Sequence, residues 1–135
     1  MSHITRYGTT RRWSDAVVFG GVAYFVEVAD DLRLDSSGQI RQVFQQVESR
    51  LNELNSDLSR LLQVLIYLPD PADFATFNAL WDEWIPDGHA PVRACVHSAL
   101  ASPDLRVELV ITAAASKAPG ALEVLSRLLP FIPVQ

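Results

Sequence analysis

The polar and apolar positions of this chain change period several times, and each change marks an element. Ala16-Val17-Val18-Phe19 and Val22-Ala23-Tyr24-Phe25-Val26-Glu27-Val28 are two short apolar runs around Gly20-Gly21. That spacing predicts a β-hairpin. Asp30-Asp31 and Asp35-Ser36-Ser37-Gly38 carry loop chemistry. From Gln39 the period shifts to three and four, with Ile40, Val43, Phe44, Val47, Leu51 and Leu54 on one stripe. An amphipathic helix of about four turns is expected there, with Ser36 or Ser37 as N-cap.

Val64-Leu65-Ile66-Tyr67-Leu68 reads as a buried strand, while the residues from Leu61 to Gln63 fit helix or strand. Asp70-Pro71 breaks the chain and suits a helix start. Phe74, Phe77, Leu80, Trp81, Trp84 and Ile85 mark that helix's apolar face, and Pro86 stops it. Residues 91–99 and 105–113 are two further strands, with Ser102-Pro103-Asp104 as the turn between them. The order strand, strand, helix, strand, helix, strand, strand predicts an α+β fold: a mixed sheet with two helices packed on one face. Residues 117–120 read as a linker. Residues 121–129 can form a helix with Leu122, Leu125, Leu128 and Leu129 on one face, either covering an apolar patch or making an oligomer contact.

Composition narrows the class. A length of 135 residues fits one domain. Hydrophobic residues at 49% and charged residues at 20% argue against disorder. The net charge is −5 and the 11 Lys and Arg are scattered, which argues against nucleic acid as the partner. Cys95 is the one cysteine, so neither an intrachain disulfide nor a cysteine-rich zinc site is available. There is no apolar leader and no run near the roughly 18 apolar residues of a membrane span. A cytoplasmic protein is the expectation.

The chemistry concentrates in Pro91-Val92-Arg93-Ala94-Cys95-Val96-His97. Strand alternation puts Val92, Ala94 and Val96 on one face, read as the core side, and Arg93, Cys95 and His97 on the other. If residues 91–99 and 105–113 pair as a hairpin with Ser98 opposite Leu105, Cys95 faces Glu108 and Arg93 faces Val110. Glu108 is then diagonal to Arg93. An arginine fork grips a carboxylate through two parallel hydrogen bonds, and a glutamate can activate water. Together they suit hydrolysis at a carbon beside a carboxylate. The plainer reading is a structural ion pair between Arg93 and Glu108.

Trp13-Ser14-Asp15, Asp73-Phe74-Ala75 with Asn78 and Trp81, and Gly88-His89-Ala90-Pro91-Val92-Arg93-Ala94-Cys95-Val96 resemble the RidA/YjgF family, also called RutC, and its YoaB-like branch in particular. The similarity spans residues 12–115, which makes residues 1–115 the family-like domain and residues 116–135 a C-terminal extension. The resemblance implies a chorismate-mutase-like fold, a homotrimer and clefts between subunits. It further implies hydrolysis of reactive 2-imino acids, or their enamine tautomers, to 2-oxo acids and ammonia, with no metal or organic cofactor. Arg93 matches the family's carboxylate-holding arginine, Glu108 its water-positioning glutamate and Cys95 a pocket cysteine.

The chain departs from the family where a Ser-Gly-Gln stretch would stand. It reads Val26-Glu27-Val28-Ala29, so Glu27 is expected to put a second acid near the cleft. Trp13 is the nearest aromatic to a family tyrosine. His89 is expected to cap the preceding helix or to reach the cleft. Cys95 is read as a lining residue rather than a nucleophile, with His97 its one candidate base, and Trp81 and Trp84 as core or subunit contacts. The function that follows is a 2-imino acid deaminase; the alternative is a non-catalytic trimer that binds small carboxylates. Ribonuclease activity, also linked to the family, is disfavoured by the acidic charge.

Overall fold

The computed structural model describes residues 3–115. The expected linker and helix at residues 117–129 lie outside the described residues. Six strands, β1 (Thr5–Tyr7), β2 (Ala16–Phe19), β3 (Val22–Val28), β4 (Leu61–Leu68), β5 (Val92–His97) and β6 (Glu108–Ala114), form one mixed sheet. Helices α1 (Ser36–Glu53) and α2 (Phe74–Trp84) pack on one face of it. This is the expected α+β architecture with one more strand, because β1 is too short and polar to announce itself.

Local chemistry accounts for most boundaries. Gly20 and Gly21 both take positive φ, 61° and 79°, as the two-residue turn between β2 and β3 requires. Helix α1 starts earlier than its apolar stripe. Its cap is Asp35, whose carboxylate accepts from Gly38 N at 2.8 Å, rather than Ser36 or Ser37. Ser36 lies inside the first turn and donates to Asp73 at 2.8 Å, tying α1 to the short 3-10 turn that leads into α2. Leu61 to Gln63 are strand. A register shift against β6 between Leu61 and Gln63 leaves Leu61 and Val64 buried three residues apart, which imitates helical spacing.

The sheet order is β1-β2-β3-β6-β4-β5. Strand β6 is antiparallel to both β3 and β4, and β5 is parallel to β4 at the sheet's edge. The hairpin expected between residues 91–99 and 105–113 is therefore absent. A strand, helix and strand in succession suit a parallel crossover, and α2 carries β5 to the far side of β4. Residues 98–107 are a long connection that returns the chain to the sheet's centre; the chain does turn at Ser102-Pro103-Asp104, where Leu105 N donates to Ser102 O at 3.2 Å, but the turn joins no hairpin.

The core lies between sheet and helices. Phe25, Ile111, Val64, Leu109 and Ile66 from the strands meet Ile40, Val43, Phe44, Val47, Phe77 and Trp81 from the helices. Among the described residues nothing packs on the other face of the sheet. Register places Val26, Val110, Leu65 and Ala94 in one row and Val28, Glu108, Tyr67 and Val96 in the next. Tyr24, Val26, Val92 and Val96 on this face are 40–69% exposed. Val92, Ala94 and Val96 are thus not the core side of β5. The alternation was right and the face reversed, because the apolar side of this edge strand has no partner among the described residues.

Candidate functional site

Arg93 projects from β5 toward α2. Its register row is Phe25, Ile111 and Val64, so it shares the helix-covered face of the sheet at the outer edge. The guanidinium Nη2 donates to Asn78 Oδ1 at 2.8 Å, and Cζ stands 5.1 Å from the centre of the Trp81 ring. Asn78 and Trp81 lie one helical turn apart on α2, which aims both at β5. No carboxylate among the described residues makes an ion pair with Arg93. The guanidinium stays exposed, with further N–H donors turned to solvent.

Cys95 follows on the same face, half-buried against the core. Burial pushes its thiol pKa up, and the nearby Arg93 charge opposes this only in part. A neutral thiol suits a lining residue and not a nucleophile. The candidate base His97 has its Nε2 engaged by Pro69 O at 3.1 Å. His89 turns back on its own loop, with Nδ1 2.9 Å from Asp87 O, so its side chain caps no helix. Trp84 stacks on Phe44 at 3.9 Å and Trp81 is buried, so both act as core residues. Among the described residues no group of three His, Cys, Asp or Glu is placed to hold a metal.

Glu108 is on the opposite face. It begins β6, between Val28 and Tyr67, partly exposed on the uncovered apolar surface. Strand β4 separates it from β5. The expected convergence of Arg93, Cys95 and Glu108 within one chain does not occur, and neither does the structural ion pair. Both readings relied on the absent hairpin.

Glu27 is also placed differently. It faces α1, accepts from Gln46 Nε2 at 3.0 Å and lies 3.6 Å from Arg50 Nε. Burial raises its pKa against the opposing pull of Gln46 and Arg50. With Asp30, Gln42 and Glu53 it lines a polar cavity of about 440 Å³ beside α1. Its side chain does not join Glu108, because neighbours along a strand point to opposite faces. The residue of that stretch that shares the face of Glu108 is Val26, in register with Val110.

Trp13 is 62% exposed in the loop between β1 and β2. That loop is firmly built. Thr10 Oγ1 accepts from Arg12 N and Trp13 N, and Thr10 N donates to Trp13 O at 2.7 Å. Asn78 as the partner of Arg93 was not assigned from sequence. Its position three residues before Trp81, on the same side of α2, is the signal that could have found it.

A family model described as Endoribonuclease L-PSP matches residues 3–115. A RutC family protein from Haemophilus ducreyi is 40% identical over 112 residues, covering 82% of this chain and 96% of the relative. The RutC family protein YoaB of Escherichia coli is 37% identical over 111 residues, covering 82% of this chain and 97% of YoaB. A solved structure of a YjgF family member from Neisseria meningitidis superposes with a TM-score of 0.81 at 38% identity, over 86% of this chain and 98% of that one. With the family model spanning the whole described sheet and its two helices, and these relatives matched over 82% of the chain, the chain belongs to the RidA/YjgF/RutC family.

Proposed function

We propose that this protein is a 2-imino acid deaminase, hydrolysing imines and their enamine tautomers to 2-oxo acids and ammonia, in clefts between the subunits of a homotrimer. Membership of the family supports the deaminase activity. The observation that carries the site is the placement of Arg93 and Glu108. Arg93 is held at the sheet's edge with its guanidinium exposed, and Glu108 stands on an apolar face that none of the described residues covers. A surface with Tyr24, Val26, Val92 and Val96 exposed is an association surface. Seating the β5 edge of one copy on the open face of the next brings an Arg93 toward a Glu108 without changing either fold.

In that cleft the guanidinium binds the substrate carboxylate and fixes C2 of the imine. Glu108 orients a water and takes its proton as oxygen adds to C2. The C=N pair shifts to nitrogen, which takes that proton from Glu108; a second proton, from the new C2 hydroxyl, reaches nitrogen as the C2–N bond breaks, so ammonia leaves and the 2-oxo acid remains. Cys95 lines the carboxylate end. No step requires a metal or an organic cofactor. Among the described residues no helix is long and apolar enough to cross a membrane, and a cytoplasmic setting fits substrates that arise there. A second reading, carboxylate binding without turnover, draws on the fact that the Arg93 clamp is complete in one chain whereas Glu108 is not part of it.

A coupled assay tests the proposal. A dehydratase generates 2-aminoacrylate, and its loss is followed with and without the protein. Acceleration is expected, and Arg93→Ala and Glu108→Gln should each reduce it by about 100-fold or more. No acceleration with several amino-acid precursors would leave only the binding reading. Full activity in both variants would remove the site assignment.

A further inference from the structure

We propose that Trp81 is a positioning residue for the carboxylate clamp, its indole face setting the plane in which Arg93 presents its donors. The inference rests on Arg93 as the carboxylate-binding group of the proposed function, and it does not require turnover.

A guanidinium grips a carboxylate well only when two parallel N–H bonds lie in the carboxylate plane. Arg93 stands on an edge strand with its head group exposed, where a long side chain is otherwise free to adopt many rotamers. Two contacts restrict it. Asn78 Oδ1 holds Nη2 at 2.8 Å, which fixes one corner but leaves rotation about that bond. The Trp81 ring, with Cζ 5.1 Å from its centroid, adds a flat surface with negative potential on its face. A point and a plane together define the orientation.

The ring is a firm support. Trp81 is only 6% exposed, and Phe44, Phe77 and Trp84 pack around it at centroid distances of 6.5, 5.9 and 5.8 Å. Its packing belongs to the core, while one face looks outward at the guanidinium. An aliphatic residue would keep the position apolar, at the cost of a cavity, and offer neither the plane nor the quadrupole. Trp81 acts on the ligand through Arg93, without touching it.

The test compares Trp81→Leu, Trp81→Phe and Trp84→Leu with wild type. Binding of 2-oxobutanoate is measured by calorimetry, KM and kcat with 2-aminoacrylate, and thermal midpoint by scanning. Trp84 belongs to the same cluster and makes neither a hydrogen bond nor a cation–π contact with Arg93, so Trp84→Leu reports the cost of core damage. Trp81→Leu should weaken 2-oxobutanoate binding about threefold to tenfold, raise KM by a similar factor and leave kcat nearly unchanged. Trp81→Phe should recover most of the affinity, and Trp84→Leu should lower the thermal midpoint without this loss. The proposal is overturned if Trp81→Leu binds like wild type, if Trp84→Leu loses as much affinity, or if Trp81→Phe fails to rescue. Wild type that binds through Arg93 but turns over no imine removes the deaminase reading and leaves Trp81 to be judged by the titrations. Binding that survives Arg93→Ala overturns the clamp and with it the role of Trp81, whatever the turnover.

Discussion

Arg93 and Glu108 point away from opposite faces of one sheet, with strand β4 lying between the strands that carry them. Two strand spacings alone separate them by about 10 Å, before the opposed side chains are counted. A site that uses both must draw them from different copies of the chain. Mixing inactive Arg93→Ala and Glu108→Gln subunits should then restore turnover, because some clefts combine an intact arginine from one copy with an intact glutamate from another. With equal amounts and random exchange, about a quarter of the clefts in a ring of identical contacts are intact. Unfolding and refolding the mixture before assay is the measurement, and no recovery would contradict a shared site.

Val26 gives an independent test of the uncovered face. It is 52% exposed in the single chain and in register with Val110. Val26→Asp places a charge on a face where the described residues pack no core. It should keep the far-ultraviolet spectrum of the fold, shift sedimentation toward monomer and remove activity. A trimer that persists with Val26→Asp would put the interface elsewhere.

Glu27 makes a prediction about pH. Burial raises its pKa above the ordinary 4.5, so the folded state binds its proton more tightly than the unfolded state does. The stability this contributes is complete below pH 4.5 and is lost as pH rises through the raised folded value. Glu27→Gln keeps an oxygen for Gln46 and has no charge to desolvate. The difference in urea midpoint between Glu27→Gln and wild type should therefore move in favour of the variant as pH rises through that window. A constant difference would show that Arg50 offsets the burial entirely.

Gln39 should prove costly to remove. It is fully buried, donates to Asp104 O at 2.9 Å and accepts from Arg106 N at 2.9 Å. These bonds join the start of α1 to the connection that delivers Glu108. Gln39→Leu leaves those part-buried backbone groups without their partner, and a loss of about 1–3 kcal/mol in chemical denaturation is expected. A loss under 1 kcal/mol would mean that water reaches the connection.

What the sequence determined by itself is local. The stripe from Ile40 to Leu54, the apolar face from Phe74 to Ile85 and the Gly20-Gly21 turn each follow from side chains within a few residues of one another. They read correctly because period and turn chemistry are short-range. The bulge at Leu61 to Gln63 blurred one reading, since it disturbs the period itself. Family membership was likewise legible, in the Arg93 segment and the residues around Trp13 and Trp81. Tertiary structure alone decided which strand neighbours which. Strand β6 enters between β3 and β4, a pairing across many residues that no local period encodes. That insertion moved Glu108 away from Arg93, and the packing of α1 decided which face of β3 Glu27 meets. It also decided what Arg93 is: Val92, Ala94 and Val96 alternate as a buried face would, yet in one chain they stay exposed, and the arginine lies on the helix side, held by Asn78 and Trp81. Alternation reports that a face is apolar; which surface covers it depends on the packing of distant elements.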